Sequence, residues 1–389
     1  MSHRPIYLDY CSTTPTDKEV WKSMEPFFTE HFGNPSSSQH AYSRFAREQL
    51  DQAAWQIAKL LSVESSEIIF TSGATEAINL GIKGCFDAYK QRGKHIVSVK
   101  TEHKAVLDCL EYLEKRGAEI SWLDCDENGE IDLDQLQDFI RTDTIIVCLM
   151  WGNNETGAVH PVREIGEICA EFGVLLFSDA TQAIGKRMVL PKENNVTVLA
   201  LSGHKFYGPK GIGALYFSSG NPRIKISPLI HGGGQQMGIR GGTVNLPGAV
   251  GLGKAAELAI IGMEGESSKL LQLKEQFQTG LKAKIKDLRV ISETVNRLPH
   301  ISNVSFRGVS SSELVEKMSP ELAVSNASSC TAGRGRKSHV LKAMNLDREW
   351  RDGAVRFSFG KYTTADEVDR AVDIVSKWVA HLNNINSPL

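Results

Sequence analysis

A lysine follows one of the most apolar runs of the sequence. Lys205 lies in SGHKFYGPKG, directly after VTVLALS (196–202). A lysine at the mouth of a buried strand is partly desolvated, which lowers the pKa of its amine and makes it a nucleophile toward a carbonyl carbon. Taken alone, however, this motif fits a solvated loop lysine better.

An aspartate closes a second apolar run. Asp179 ends VLLFSD (174–179) and begins DATQAIGK. A carboxylate at the end of a buried strand is costly unless a cation or good hydrogen-bond donors accompany it. The position therefore predicts a positively charged or donating partner.

A glycine-containing turn follows a third run. TSGATEAINLGIKG (71–84) comes directly after EIIF (67–70). A small turn that opens a helix presents backbone N–H groups and the positive end of the helix dipole to an anion, so residues 72–75 could surround a phosphate. The alternative is an ordinary strand–helix turn that Thr75 caps. Neither GxGxxG nor GxxxxGK[ST] occurs, so dinucleotide and P-loop binding lack their usual support.

Together the three segments favour one kind of ligand. A phosphate site, an acidic strand end and a lysine suit a molecule with a phosphate, a basic ring nitrogen and an aldehyde. Pyridoxal phosphate has all three groups, and its usual protein partners are a lysine and an acidic residue.

Alternating strands and helices must position these residues. The runs predicted as strands are EIIF (67–70), HIVSV (95–99), IIVCLM (145–150), VLLFSD (174–179), VTVLALS (196–202) and ALYF (214–217). Segments such as VREIGEICAEF (162–172) have apolar residues three and four apart, which predicts helices. This pattern indicates an α/β fold with a mostly parallel sheet between helices, whose ligands bind at the carboxyl ends of the strands.

The pattern changes after about residue 260. A long charged helical segment (263–288) precedes HISNVSFRG (300–308), and VRFSFG (355–360) precedes a helical segment (364–382). We predict a large ligand-binding domain over 16–260 and a smaller α+β domain formed by 1–15 together with 261–389.

The composition is that of an ordinary globular protein. The chain has 389 residues, 41% hydrophobic and 23% charged, with a net charge of −2. This balance gives no global attraction to nucleic acid or anionic membranes, so we predict no direct binding to either. MSHRPIYLDY lacks the apolar run of a signal peptide, and no stretch resembles a membrane span of ~20 apolar residues.

Cysteine usage indicates a reducing compartment. Seven cysteines, without a CxxC pair, fit the cytoplasm better than a disulfide framework. Cys148 and Cys169 lie on apolar stretches and are expected to pack in the core.

A series of motifs extends over nearly the whole chain. In order they are LDYCSTTP, FGNPSS, TSGATEAINL, TEHKAV, NNETG, DATQ, SGHKFYGPKGIGALY, HGGGQQMGIRGGT and VRFSFG. With these motifs the chain resembles the IscS/NifS-type cysteine desulfurases, class V aminotransferases with the PLP-dependent transferase fold type I. The resemblance implies pyridoxal 5'-phosphate as cofactor, L-cysteine as substrate, a homodimer, and sulfur-acceptor proteins as partners.

The resemblance also implies roles around the cofactor ring. Lys205 would bond to the aldehyde carbon and later move protons, while Asp179 would keep the pyridine nitrogen protonated. Gln182 would donate to the phenolic oxygen. His103 would stack on the ring and could act as an acid or base. Taken singly, His103 could equally be a residue that begins a helix.

Further residues are implied at the phosphate and at the substrate. Those on the phosphate would be Ala74, Thr75, Ser202 and His204. Thr243 would reach the phosphate from the other subunit. Asn154 and Arg356 would bind the substrate carboxylate, Arg356 as a bidentate fork, and Asn154 would also contact the cofactor. Singly, Asn154 could form a turn and Arg356 a surface ion pair.

The last candidate is Cys330, in VSNASSCTAGRGRKS (324–338). Its neighbours are small, and the cations Arg334, Arg336 and Lys337 that follow could favour the thiolate, the nucleophilic form of cysteine. In the family this segment corresponds to a mobile loop of the small domain. The resemblance implies that the Cys330 thiolate attacks the sulfur of bound cysteine, which leaves a persulfide and L-alanine.

Two departures from the family pattern bear on the identity of the sulfur acceptor. Familiar members carry serines and an acidic residue after the cysteine, and NNINSPL (383–389) lacks the extension that similar enzymes use to bind an iron–sulfur scaffold. The acceptor could serve iron–sulfur assembly, thiolation or DNA phosphorothioation, the last in the Dnd branch. The basic residues could equally be solvated charges without a role.

Two other readings stay open at this point. A selenocysteine lyase or an aminotransferase could use the same fold and cofactor. A non-enzymatic scaffold would lack the colour of a bound cofactor.

Overall fold

The strands among the described residues form three sheets. The computed structural model describes residues 4–220, 224–326 and 338–386, so Cys330 and the cations after it lie outside the described residues. The strands are β1 (Ile6–Tyr7), β2 (Ile68–Thr71), β3 (His95–Val99), β4 (Glu119–Leu123), β5 (Thr144–Cys148), β6 (Leu175–Asp179), β7 (Val198–Ser202), β8 (Gly213–Phe217), β9 (Leu288–Val290), β10 (Ile301–Phe306), β11 (Leu322–Ala323), β12 (Ser325–Asn326) and β13 (Ala354–Ser358).

Helices cover these sheets. They are α1 (Lys18–Met24), α2 (Pro26–Thr29), α3 (Ala41–Leu61), α4 (Ala74–Tyr89), α5 (Lys104–Glu114), α6 (Leu133–Phe139), α7 (Val162–Glu171), α8 (Leu246–Lys284), α9 (Ser311–Met318), α10 (His339–Ala343), α11 (Arg348–Asp352) and α12 (Ala365–Asn386). Short 3-10 helices lie at Ser65–Glu67, Gly203–Lys205 and Gln236–Gly238.

The largest sheet has seven strands in the order β2-β8-β7-β6-β5-β3-β4. β8 runs antiparallel to both of its neighbours, and the other pairs are parallel. The predicted α/β fold with a mostly parallel sheet is therefore confirmed. Strand β4 is not among the predicted strands, because it is an edge strand whose EISWL segment has no continuous apolar run and is only partly buried.

The register of β6 and β7 brings two of the predicted residues to one edge. Both strands are buried along their whole length, as expected for apolar strands covered on both faces. Asp179 lies opposite Ala200, and β7 ends at Ser202, directly before the 3-10 helix that contains Lys205. Asp179 and Lys205 therefore lie at the carboxyl ends of two neighbouring strands, at the same edge of the sheet.

Glycines allow a close approach beside this edge. A Cβ on Gly213 would lie 2.5 Å from the carbonyl oxygen of Leu201 and 2.8 Å from the backbone of Gly73. Gly73 itself has a φ of +151°, which residues with a side chain rarely adopt. The start of α4 can therefore pack directly against the ends of β7 and β8.

A smaller unit contains the antiparallel sheet β12-β13-β10-β9 and the parallel pair β1-β11. Its fully buried core includes Phe277, Phe306 and Phe357. Helix α8 contributes its first part to the core of the large sheet and its last part to this smaller core. The proposed domain boundary at residue 260 falls inside α8, so the division into domains stays a prediction.

Helix α8 also bears on the expected absence of a membrane span. Among the described residues it is the one helix that is long and apolar enough to cross a membrane. The sequence-based expectation that no stretch resembles a membrane span therefore overlooked this helix. It packs against α1, α3 and α12, and 44% of its apolar window is buried. A core helix has the same properties, so the window is weak evidence for a membrane segment.

Candidate active site

A cavity of about 540 Å³ opens at the carboxyl ends of β6 and β7. The predicted residues that line it are Ala74, Thr75, His103, Asn154, Asp179, Gln182, Ser202, His204, Lys205 and Arg356. They come from the loops after several strands of the large sheet and from β13 of the small unit. The fold therefore gathers into one space residues that are far apart in the sequence.

Lys205 points toward the N-terminal segment of the chain. Its Nζ donates to the backbone carbonyl oxygens of Cys11 at 2.5 Å and Ser12 at 3.0 Å. Both of these residues line the cavity. The amine is thus held at the cavity wall by neutral acceptors of the LDYCSTTP segment.

Asp179 is buried at the end of β6. Its Oδ1 accepts a hydrogen bond from the backbone N–H of Thr181 at 2.9 Å. The Thr181 hydroxyl lines the same cavity, is buried, and has no hydrogen-bond partner among the described residues. An orphaned hydroxyl beside a buried carboxylate is typical of a wall that a polar ligand completes.

Gln182 is oriented from two sides. Its Nε2 donates to the carbonyl oxygen of Cys11 at 3.0 Å, and its Oε1 lies 3.4 Å from Nε2 of His300. Burial holds the pKa of His300 well below its usual range, so this imidazole is neutral and can donate from Nε2. The amide nitrogen of Gln182 is therefore the atom that faces the Cys11 side of the cavity.

His103 both lines the cavity and begins a helix. Its Nδ1 accepts a hydrogen bond from the backbone N–H of Ala105 at 3.1 Å, which caps α5. Burial lowers the pKa of His103, and the charge of Asp179 opposes that shift. The ring is therefore neutral near pH 7 and carries its proton on Nε2. His103 can cap α5 and also contact a ligand in the cavity, because Nδ1 serves the cap and the rest of the ring is available to the cavity.

The turn before α4 forms the opposite wall. Ser72, Gly73, Ala74 and Thr75 line the cavity there. His204 lies across from them, with its Nδ1 3.1 Å from the hydroxyl of Thr13. Burial lowers the pKa of His204 to about 4, so it offers a neutral donor at this wall.

Arg356 is almost fully buried at the substrate end, with 3% exposure. Its Nη2 donates to Oδ1 of Asp9 at 3.0 Å and to Oγ of Ser12 at 2.9 Å. Its Nη1 donates to the backbone carbonyl of Asn154 at 2.9 Å. The guanidinium is therefore an oriented, internally paired group and not a surface ion pair.

The N-terminal residues of the site are not predicted from the sequence. Asp9, Cys11 and Ser12 lie in LDYCSTTP, a motif of the family resemblance that carries no predicted role. Their contributions are largely backbone carbonyls and an ion pair across the fold, which residue types alone do not reveal. The aspartate in an otherwise apolar strand segment was the one available signal.

Glu155 was also missed. It is buried, and its Oε2 accepts a hydrogen bond from the hydroxyl of Ser338 at 2.5 Å. Burial raises the pKa of Glu155 to about 7, while Ser338 and Arg356 oppose the shift. This carboxyl therefore links the loop of Asn154 to Ser338, the residue that caps α10.

Two predicted residues are not placed in the cavity. Thr243 is exposed and does not line it. The segment before Thr243 is nevertheless anchored nearby, since Arg240 pairs with Glu76 of the first turn of α4 at 2.8 Å. Cys330 lies outside the described residues.

The other cysteines are poor nucleophiles. The free cysteines among the described residues are Cys11, Cys85, Cys109, Cys125, Cys148 and Cys169. All are buried, and burial raises the pKa of each thiol above its ordinary value. As predicted, Cys148 and Cys169 pack in the core.

The cavity fits pyridoxal phosphate in its chemistry. The first turn of the 16-residue helix α4 presents backbone N–H groups suited to a phosphate. Asp179 supplies a carboxylate for a protonated ring nitrogen, and Lys205 supplies an amine for the aldehyde. The hydroxyl of Thr181, which has no hydrogen-bond partner within residues 4–220, 224–326 and 338–386, offers a further polar contact to such a ligand.

The chain is similar to known proteins over nearly its whole length. The family model described as aminotransferase class-V matches residues 6–371. The cysteine desulfurase IscS of Anaeromyxobacter sp. (strain Fw109-5) is 43% identical over 385 residues, which cover 99% of this chain and 95% of the relative.

Two solved structures are also similar to this chain over most of its length. A NifS-like protein is 34% identical with a TM-score of 0.90, covering 97% of this chain and 100% of its own. DndA from Streptomyces lividans is 32% identical with a TM-score of 0.76, covering 91% and 99%.

Proposed function

The chain belongs to the aminotransferase class-V family and is a pyridoxal-phosphate-dependent cysteine desulfurase of fold type I, and on that premise we propose that Cys330 carries the sulfur. The reaction converts L-cysteine and the Cys330 thiol to L-alanine and a Cys330 persulfide. The substrate's carbon–sulfur bond breaks, a sulfur–sulfur bond forms, and the proton of the thiol is balanced by one gained at Cβ of alanine.

One observation supports Cys330 as the nucleophile. Every free cysteine in the described part of the chain is buried, with a raised thiol pKa. A buried thiol is rarely ionised, and the thiolate is the form that attacks sulfur. Cys11 is the nearest alternative because it lines the cavity, yet it is only 1% exposed. By elimination, Cys330 with its adjacent cations is the favoured carrier.

We propose the other roles on the basis of the cavity geometry. Bound pyridoxal phosphate supplies an electron-withdrawing ring that weakens bonds at the substrate's Cα. We assign proton movement at Cα to the amine of Lys205. Arg356 binds the substrate carboxylate, and its fixed orientation selects the position of the amino acid. The neutral ring of His103 can donate or accept a proton at Nε2.

A single-turnover experiment tests the proposed function. The holoenzyme is mixed with L-cysteine without an acceptor or reductant, and alanine is counted against active sites. We expect about one alanine per site in the wild type and in Cys11→Ala, but almost none in Cys330→Ala. Full alanine release by Cys330→Ala would reject Cys330 as the carrier.

We also propose that the active protein is a homodimer. In the single chain two adjacent pairs of large aromatic side chains are exposed: Trp21 with Phe28, and Phe32, at 67%, with Tyr42. Contiguous exposed aromatic side chains are unusual on monomers and typical of interfaces. The exposed position of Thr243 outside its own cavity supports its reaching the cavity of a second copy.

Mixed dimers test this arrangement. Lys205→Ala and Thr243→Asp are each expected to be inactive, because one lacks the amine and the other repels the phosphate. If Thr243 serves the other subunit, co-expression restores one complete site per mixed dimer and part of the activity. No restoration in mixed dimers that are verified by mass would contradict the proposal.

We propose an iron–sulfur cluster scaffold as the principal sulfur acceptor, with a thiolation partner as a variant of the same route. The 43% identity to a protein named IscS supports this choice. A DNA-phosphorothioation acceptor is the second candidate, because the sequence after Cys330 departs from familiar members and DndA is 32% identical.

Transfer of labelled sulfur distinguishes the acceptors. Enzyme loaded from radiolabelled cysteine is offered an iron–sulfur scaffold and a phosphorothioation acceptor in parallel. Faster labelling of the scaffold is expected. Faster labelling of the phosphorothioation acceptor would reverse the order of the two candidates.

The cytoplasm is the proposed location. The six described cysteines are all free, which suits a reducing compartment. Fractionation of cells with an antibody to the protein would test this, and recovery in an oxidising compartment would contradict it.

A further inference from the structure

Thr14 holds the backbone on both sides of Lys205. Its N–H and its hydroxyl both donate to the carbonyl oxygen of His204, at 2.9 Å and 3.0 Å. Its hydroxyl oxygen also accepts from the backbone N–H of Tyr207 at 2.9 Å. Thr14 is 1% exposed, so water does not compete for these bonds. One buried side chain thus connects the residue before the lysine to the second residue after it.

Tyr207 completes this arrangement in a strained conformation. Its φ is +66°, which is a genuine outlier for a bulky residue and is energetically unfavourable. Its carbonyl oxygen accepts from the N–H of Asp17 at 2.9 Å. Strain of this kind persists only where the surroundings hold the residue in place.

The phenol of Tyr207 provides that hold. Its hydroxyl donates to Glu266 of α8 at 3.0 Å and accepts from the backbone N–H of Lys361 at 2.6 Å. The amine of Lys186 pairs with Glu266 and lies 4.4 Å from the centre of the Tyr207 ring. The ring is therefore fixed by hydrogen bonds and a cation–π contact.

This network joins the strands that carry the site. Lys186 follows β6 and Asp179, Tyr207 follows Lys205, and Lys361 follows β13 and Arg356. A buried ion pair is weak evidence for stability, because desolvation offsets the attraction of the charges. The buried pair of Lys186 and Glu266 is better explained as a contact that fixes the positions of the surrounding segments relative to one another.

We propose that Thr14 and Tyr207 are positioning residues for Lys205. Thr14 fixes the peptides on either side of the lysine, and Tyr207 fixes that turn relative to the strand of Arg356. The distance between the amine and the substrate carboxylate site is thereby set by residues that touch neither substrate nor cofactor. The inference rests on the proposed role of Lys205 and is independent of Cys330.

Isosteric substitutions test the proposal. Thr14→Val removes the hydroxyl but keeps the shape, and Thr14→Ser restores the hydroxyl. Because misplacement by about 1 Å can cost roughly 100-fold in rate, we expect kcat of Thr14→Val to fall about 10- to 100-fold while KM changes less than about threefold. Thr14→Ser is expected to recover most of kcat.

A spectroscopic readout separates positioning from general damage. The absorbance of the cofactor bonded to Lys205 is titrated with pH in holoenzyme that also carries Cys330→Ser. A displaced Lys205 should shift the midpoint of this titration in Thr14→Val and in Tyr207→Phe. Since no sulfur transfer is needed, the result stands even if another cysteine carries the sulfur.

Thr144→Val is the matched control. Thr144 is also buried, and its hydroxyl accepts from Arg141 and bonds to His95, but it lies at the opposite end of the sheet. We expect a similar loss of stability with unchanged kcat and titration midpoint. If Thr14→Val does not fold, Tyr207→Phe decides the question. Wild-type kcat and midpoint in Tyr207→Phe, or equal defects in Thr14→Ser and Thr14→Val, would overturn the proposal.

Discussion

The amine of Lys205 lies 2.5 Å from the backbone carbonyl oxygen of Cys11. The same carbonyl accepts from Gln182 at 3.0 Å, so one peptide group orients two predicted cofactor contacts. A carbonyl orients an amine without supplying a full negative charge. Releasing this neutral contact therefore costs only a modest energy when the amine turns toward an aldehyde.

Replacement of Lys205 should remove the covalent attachment of the cofactor. Lys205→Ala is expected to lose the absorbance of the lysine-bound form and the mass added by borohydride reduction. Lys210→Ala, which changes another lysine at the cavity, should keep both signals. Retention of the reduced adduct in Lys205→Ala would show that another amine bonds to the cofactor.

The two functions of His103 should separate by substitution. Asparagine caps a helix well, so His103→Asn should lose activity while keeping most of the free energy of unfolding. His103→Ala should lose activity and also about 1 kcal/mol of stability. Denaturant unfolding and steady-state kinetics check this. Equal activity in His103→Asn and the wild type would exclude a role of the ring.

Glu155 should make stability fall as pH rises. Its pKa is about 7 in the folded protein, above the ordinary value of 4.5, so the folded state binds a proton more tightly than the unfolded state. The contribution of this proton is complete below about pH 4.5 and is lost as pH rises through about 7.

Glu155→Gln removes this dependence while keeping an oxygen that can accept from Ser338. Relative to the wild type it should gain about 3 kcal/mol in the free energy of unfolding between pH 4.5 and pH 8. Denaturant titrations at both pH values measure this. A pH-independent difference between the two proteins would contradict it.

Asp9 should neutralise Arg356 when no substrate is bound. Because Arg356 is buried, Asp9→Asn leaves its charge without its carboxylate partner and should destabilise the protein by about 3 kcal/mol. The product L-alanine supplies another carboxylate, so it should raise the melting temperature more in the variant than in the wild type. An equal rise in both proteins would argue against L-alanine binding at Arg356.

The fold was predictable where strands are continuous apolar runs. Strands β3, β6 and β7 are fully buried, and their residues leave few alternatives to a central parallel sheet. Edge strand β4 was missed because one face meets solvent and its residues are mixed. Helix α8 begins well before its predicted start, since its first part is rich in glycine and alanine that pack against α3.

The site was predictable where chemistry resides in side chains next to strand ends. Lys205 and Asp179 carried that signal directly, whereas the carbonyl of Cys11 and the bonds of Thr14 are backbone geometry that depends on the N-terminal segment crossing the cavity. The Asp9–Arg356 pair joins residues at opposite ends of the chain. Such contacts follow from the fold and not from local sequence.

Mapping of the persulfide tests the central claim most directly. The holoenzyme is treated with L-cysteine, its thiols and persulfides are alkylated, and peptides are identified by mass spectrometry. We predict one added sulfur atom on the peptide that contains Cys330, in the wild type and in Cys11→Ala. A sulfur adduct on Cys11 or another cysteine, with Cys330 unmodified, would contradict the account.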